Sequence, residues 1–324
     1  MIKFGVVGTG WIAEEFVKGT ALTDGLEFSA VYSRTVRKGT EFASQFGGAK
    51  VFDNIDEFAA SDIDAVYIAS PNSLHYEQSK LMLEHGKHVL CEKPVTVTPS
   101  QFSELRSLAK SKNLIYTEAI MYLHLPQRKI LLESLKKIGK ITTAHFDFSQ
   151  LSSKYEALKN GEVPNIFNPE FATGCLMDLG IYCLYPAIDI FGEPKNVVSS
   201  ATLLPTGVDG CGSSIFEYDD KCVTLTYSKL GQSGLGSQIL GDGGTITTPS
   251  ISKLINMTLI QNDSQKIPLT GECEKHVLMS FEARDFYEYI KGRKLDEYER
   301  FNDMILCVNK YLETIRNNCK IYFK

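Results

Sequence analysis

The chain has 324 residues, 43% hydrophobic and 23% charged, with a formal net charge of -5. That length is too great for one ordinary core and fits two domains, and the acidic balance, without a Lys/Arg block, excludes a large nucleic-acid footprint. The N-terminal apolar run is broken by Gly5, Gly8 and Gly10 without a cleavage site, no stretch reads as a membrane span, and the eight cysteines contain no C-x-x-C, so a cytoplasmic chain with reduced thiols, no membrane contact and no metal site is expected.

Residues 2 to 7 read as a buried strand running straight into Gly8-Thr9-Gly10-Trp11-Ile12-Ala13 and a helix beyond. This is G-x-G-x-x-A between a strand and a helix, the context in which such glycines serve a dinucleotide. The first turns the chain, the second lets backbone approach a pyrophosphate, and Ala13 allows close packing. A second strand, Phe28 to Tyr32, ends in Ser33-Arg34-Thr35 with Arg37 and Lys38 beyond. An NAD site places an acid at this point to hold the ribose hydroxyls; its absence beside a guanidinium favours NADP(H), with NAD(H) as the lesser option. Arg34 as a solvated surface residue is the plainer alternative.

Asp64 to Ser70 is a further strand, broken by Pro71-Asn72, after which Ser73 is expected to cap a helix that carries His75 in its first turn and stops at Gly86. Next comes Lys87-His88-Val89-Leu90-Cys91-Glu92-Lys93-Pro94, a short apolar strand ending in an acid, a base and a proline. Ligands of doubly wound sheets bind beyond the carboxyl ends of the strands, so Lys93 is expected at a site. Thr98-Pro99-Ser100-Gln101 has the form of a capping box, opening a helix to about Lys112, and Leu114 to Thr117 gives the next strand. Strands alternating with helices indicate a parallel sheet, and the first domain is expected to span residues 1–121.

Residues 122–324 change to long alternating runs: Ile141 to Phe148, Asn196 to Leu203, Cys211 to Tyr218, Lys221 to Ser228, Gly236 to Leu240 and Leu254 to Ile260. The expected architecture is α/β overall: an N-terminal Rossmann doubly wound parallel sheet, then an α+β domain with a mainly antiparallel open sheet. Helical periodicity marks Asp178 to Phe191, Val277 to Lys291 and a last helix carrying Phe301 to Ile315.

Asp178 and Tyr182 lie four apart, on one face of a helix. A lysine, a carboxylate and a phenol brought together suit proton transfer coupled to hydride transfer. An ammonium about 4 Å from a phenolate, at an effective dielectric of roughly 20, favours it by about 4 kcal/mol before desolvation opposes. That brings a tyrosine toward neutrality, where it is an effective general acid or base. Spacing alone leaves open a surface Glu92–Lys93 ion pair and a core phenol at Tyr182.

Taken together, GTGWIA, IASPN followed by His75, CEKP and TGCLMDLGIY resemble the Gfo/Idh/MocA oxidoreductases over essentially the whole chain, most closely the dihydrodiol and NADP-dependent xylose dehydrogenase branch. The resemblance implies that Lys93 is the catalytic lysine, Tyr182 the general acid/base and Asp178 a supporting carboxylate. It places Gly8, Thr9, Gly10, Trp11, Ile12 and Ala13 along the pyrophosphate, Ser33 and Arg34 at the adenosine end, and Ser70, Pro71, Asn72, His75 and Glu92 with Lys93 toward the nicotinamide. It implies a cis Lys93–Pro94 bond, a sugar, polyol or cyclic-diol substrate, and a homodimer or homotetramer through the C-terminal sheet. Thr173, Cys175 and Leu123 depart from the branch's pattern near the implied substrate pocket. Other functions on the same fold are a non-catalytic NADP-binding sensor and an NAD-dependent glycosidase.

Overall fold

The computed structural model of the protein describes residues 1–323. The chain groups into two units, residues 1–124 with 274–306, and residues 125–273 with 307–324. The helices after residue 274 therefore belong in part to the first unit, where the sequence reading kept everything after residue 121 in a second domain.

In the first unit β1 (Ile2–Val7), α1 (Trp11–Thr20), β2 (Leu26–Tyr32), α2 (Val36–Ser44), β3 (Lys50–Phe52), α3 (Ile55–Ala59), β4 (Ala65–Ile68), α4 (His75–Glu84), β5 (His88–Glu92), α5 (Pro99–Ser111), β6 (Tyr116–Ala119) and α6 (Met121–His124) follow in order. All six strands pair in parallel, in the order β3-β2-β1-β4-β5-β6. This is the doubly wound arrangement, whose order reverses between β1 and β4. The three-residue β3 was not anticipated, because so short a run shows no alternation.

The Thr98 capping box forms as read, with Pro99 opening α5. Ser73 does not cap α4. A 3-10 turn over Asn72–Leu74 leads into that helix, whose N-cap is Leu74 with no side-chain hydrogen bond. Gly86 follows the end of α4 at φ +75°, as a C′ glycine should.

The second unit holds α7 (Pro126–Ser134), β7 (Ile141–Ser149), α8 (Tyr155–Lys159), α9 (Ile181–Phe191), β8 (Asn196–Leu203), β9 (Asp209–Glu217), β10 (Cys222–Ser228), β11 (Ser237–Gly241), β12 (Gly244–Thr248), β13 (Thr258–Gln261) and β14 (Lys266–Pro268). Its sheet runs β14-β13-β12-β11-β7-β10-β9-β8, antiparallel except where β10 lies parallel to β7. A hairpin joins β9 to β10, with Tyr218 N–H donating to Lys221 O over 3.0 Å. Leu254 and Asn256 have φ of 52°, which ends the extended run there and delays β13 to Thr258.

Contrary to the sequence reading, one stretch does reach the length and apolarity of a membrane span. Pro169–Phe191 has a mean hydropathy of 1.4 in its most apolar window, and 83% of that window is buried inside the protein. A core helix passes the same test, and this one is interrupted by 3-10 and π turns before α9 begins.

Two helices close the chain, α10 (Lys275–Ile290) and α11 (Leu295–Cys319). Leu278, Met279, Glu282, Ala283, Phe286 and Tyr289 of α10 are buried at helical spacing. That face lies on α1 at Gly19, where an added Cβ would stand 2.7 Å from His276 O and 3.1 Å from Ser280 N. Thr23 adds a hydrogen bond from Oγ1 to Ser280 O at 3.3 Å. Backbone cannot yield as a flexible side chain can, so Gly19→Val should destabilise the first unit by about 1–3 kcal/mol through overpacking. Thermal and urea unfolding of the variant measure this, and an unchanged midpoint would show that the two helices separate freely.

Candidate active site

The glycine-rich turn has the shape a pyrophosphate needs. Gly8 has φ +105°, and a Cβ there would stand 2.6 Å from Ala69 O, so only glycine fits between the turn and the end of β4. A Cβ on Gly10 would meet nothing within 4 Å, so its outer side is open to a ligand. Gly10 is the N-cap of α1 and, having no side chain, makes no side-chain cap bond to the N–H groups of the first turn. Those donors and the positive end of the helix dipole suit an anion. Ala13 is fully buried and Trp11 is exposed, while Thr9 and Ile12 are partly exposed.

At the end of β2, Ser33 is buried against β3, its N–H donating to Phe52 O at 3.0 Å. Arg34 is exposed, with no ion-pair partner among the described residues, whereas neighbouring Arg37 is engaged with Glu41 at 3.3 Å. The strand end therefore presents a guanidinium and no carboxylate, a donor set that fits the 2′-phosphate of NADP(H).

The turn after β5 is tied down by three elements. The Lys93–Pro94 bond is cis. His75 sets Nδ1 2.8 Å from Pro94 O and Nε2 2.9 Å from Ser70 O, bridging the ends of β5 and β4. Glu118 of β6, fully buried, accepts the Val95 N–H at 2.7 Å. Two carbonyl partners favour a protonated ring, but burial outweighs them and Lys93 adds repulsion, holding the His75 pKa below its usual value. The geometry makes His75 a tie between strands. Glu118 was not among the sequence candidates; the only signal for it is its place at the end of the next parallel strand, level with Cys91.

Glu92 is buried and accepts a hydrogen bond from the Tyr67 hydroxyl of β4. Burial raises its pKa, against the pull of Lys93 and of the Tyr67 bond. It is no solvated surface acid, so the surface ion-pair alternative does not hold for it. Lys93 itself is half-buried. Ser70 Oγ donates to Gln78 at 2.6 Å, and Pro71 and Asn72 lead into the 3-10 turn.

In the second unit Asp178 falls on a π turn, Leu176–Gly180, that runs directly into α9 and Tyr182. Such turns insert an extra residue and often re-aim functional groups. Gly180 lets the turn lie on β10, since a Cβ there would stand 3.0 Å from the Tyr227 ring. The Asp178 carboxylate pairs with Lys229, whose side chain is only 4% exposed while that of Asp178 is 36% exposed. The lysine thus grips the acid from inside and leaves it partly open to solvent. Tyr182 sets its ring 5.4 Å from that of Phe148. Lys229, just past the end of β10, was missed by sequence reading because no motif surrounds it.

Asp209 anchors the start of the same turn. It is fully buried, and its Oδ2 accepts the Leu176 N–H at 2.6 Å. Gly174, at φ +139°, makes room for its other oxygen, because a Cβ there would lie 2.2 Å from Oδ1. Burial pushes the Asp209 pKa up to about 6, with backbone N–H groups and Lys229 opposing. The folded chain therefore holds a proton there that the unfolded chain, titrating near 3.9, has released. Stability must fall as pH rises from about 4 to about 6, by up to about 3 kcal/mol from this group. In Asp209→Asn that component is absent, so the stability difference between wild type and variant should shift by this amount across the window in urea unfolding. A constant difference would remove Asp209 as its source.

Residues 2–120 match the family model described as oxidoreductase family, NAD-binding Rossmann fold, and residues 132–247 match the GFO/IDH/MocA C-terminal domain. The chain is 38% identical over 324 residues to scyllo-inositol 2-dehydrogenase (NADP(+)) IolU of Bacillus subtilis (strain 168), covering 100% of this chain and 98% of that protein. It is 30% identical over 307 residues to trans-1,2-dihydrobenzene-1,2-diol dehydrogenase of Xenopus laevis, covering 90% of each. Among solved structures, the 3-ketoreductase KijD10 of Actinomadura kijaniata with NADP and TDP-benzene superposes with a TM-score of 0.85 at 21% identity, covering 100% of this chain and 99% of the other. With both family models matched in order along a chain whose first unit carries the dinucleotide turn, the protein belongs to the GFO/IDH/MocA family and is an oxidoreductase with an NAD-binding Rossmann fold.

Proposed function

We propose that the protein is a dehydrogenase acting on a CH–OH group of a sugar, polyol or cyclic diol, with NADP(H) preferred over NAD(H), Lys93 and Tyr182 as the proton-transfer pair and Asp178 as the supporting carboxylate. The observation that carries this reading is the Lys229–Asp178 pair on the π turn leading into Tyr182. The carboxylate is held by an internal lysine, and its remaining exposure suits it to accept a hydrogen bond from a hydroxyl of a polyhydroxylated substrate. The relatives named for scyllo-inositol, D-xylose and trans-dihydrobenzenediol act on such compounds.

When bound, NADP(H) supplies or accepts the hydride. The Tyr182 hydroxyl exchanges the proton of the substrate oxygen, and the ammonium of Lys93 favours the phenolate form of that tyrosine. Arg34 takes the 2′-phosphate, Ser33 packs at the adenosine end, and Gly8, Thr9, Gly10, Trp11, Ile12 and Ala13 line the pyrophosphate. Ser70, Pro71, Asn72, His75 and Glu92 shape the nicotinamide end. The sensor and glycosidase functions have no supporting observation, and the relatives named for scyllo-inositol, D-xylose and trans-dihydrobenzenediol are dehydrogenases.

The open sheet face suits self-association in the cytoplasm. Val198 and Ile215 are directly opposed across β8 and β9 and remain 52% and 40% exposed. A homodimer or homotetramer would cover them.

Lys93→Met and Tyr182→Phe should each keep NADPH binding, read by fluorescence, while turnover falls by about 10²–10⁴-fold. A panel of inositols, aldoses and trans-diols with both cofactors identifies the substrate, and normal turnover by Lys93→Met would reject the lysine's role. For the assembly, Ile215→Lys should convert the oligomer to monomer in sedimentation; an unaltered sedimentation coefficient would place the interface elsewhere.

A further inference from the structure

The phosphate-binding turn lacks a cation of its own. α1 carries Glu14 in its first turn, and its basic residue, Lys18, comes only in the last turn, paired with Glu15 at 2.8 Å. A pyrophosphate brings two negative charges to this helix end, and backbone N–H groups supply only partial ones. A cation reaches the first residue of α1 from the other end of the sequence. α10, lying on α1 at Gly19, begins with Lys275, whose Nζ stands 5.9 Å from the ring centroid of Trp11, the first residue of α1.

Two buried acids flank that lysine. Glu282, two turns along α10, is 1% exposed, and its Oε2 has no hydrogen-bond partner among the described residues. Glu92 is buried at the end of β5. Burial raises the pKa of both acids, and the Glu92 charge raises that of Glu282 further, while Lys275 attracts both carboxyls and opposes the rise. The ammonium is attracted by both buried carboxyls and rests near the indole of Trp11, the residue that follows the glycine turn.

We propose that Lys275 is a cofactor-binding residue that contacts the pyrophosphate of NADP(H), its ammonium positioned over the glycine turn by the buried carboxyls of Glu92 and Glu282. This rests on the cofactor alone and is independent of the roles given to Lys93, Asp178 and Tyr182. α10 thus completes the dinucleotide site from a segment some 270 residues downstream of the turn it serves.

The test reads binding, without turnover. In NADPH fluorescence titrations Lys275→Met should weaken affinity about 10- to 100-fold, as loss of one charge-assisted phosphate contact does, and should flatten the dependence of affinity on salt. Lys275→Arg should bind within a few-fold of wild type. Adenosine 2′-monophosphate, which has no pyrophosphate, should compete equally well in wild type and Lys275→Met. The double variant Lys275→Met/Glu282→Gln separates contact from support. If Lys275 touches the cofactor, affinity stays low in the double variant. If the lysine is only a counter-ion for the buried acids, removing both charges restores affinity and overturns the proposal, as does NADPH binding within two-fold of wild type in Lys275→Met alone. Should Lys275→Met fail to fold, the charge-balanced double variant carries the same comparison against wild type.

Discussion

The Val95 N–H donating to the buried carboxyl of Glu118 is the bond on which the site in the first unit depends. A parallel strand must stop somewhere, and its last residues can leave the sheet in many directions. Here the next strand, β6, supplies an acceptor at its own end, and His75 holds Pro94 O from the side of β4. A hydrogen bond of this kind contributes about 0.5–1.5 kcal/mol, and leaving the buried acid unpaired would cost more. The direction in which Lys93 leaves the sheet is therefore set by its neighbours in space, two of which lie far from it in sequence.

The second unit fixes its candidate groups by a different device. Asp209 takes the N–H at the start of the π turn and Lys229 takes the carboxylate in its middle. Glycines at 174 and 180 let both contacts close, one by admitting the Asp209 carboxyl and the other by admitting β10. A regular α-helix through Asp178 would have offered the same residues to the solvent without such anchors. The result is a partly exposed acid with a buried cation directly behind it.

The return of α10 to the first unit gives the dinucleotide domain more than its N-terminal residues. Gly19 allows backbone-to-backbone approach, and the helix so placed carries Glu282 inward and Lys275 to the Trp11 edge. His124 closes the same region, its Nδ1 2.9 Å from Asp285 of α10. The first unit is thus completed only when the chain has passed through the whole second sheet.

Local chemistry determined much of this protein from the sequence alone. A glycine turn between a strand and a helix, a capping box at Thr98, a strand ending in Glu-Lys-Pro and alternating runs after residue 140 are each legible over fewer than a dozen residues, because turn sterics, capping and side-chain alternation act over that range. The spaced motifs carried the family resemblance in the same way. Tertiary structure alone decided which partners those residues meet. The pairing of Lys229 with Asp178, the capture of Val95 by Glu118, the burial of Asp209 beneath the π turn and the delivery of Lys275 to α1 all join segments distant in the chain. Their side chains carry no local signature, since an acid or a lysine has the same propensity whether it ends in solvent or in a buried pair.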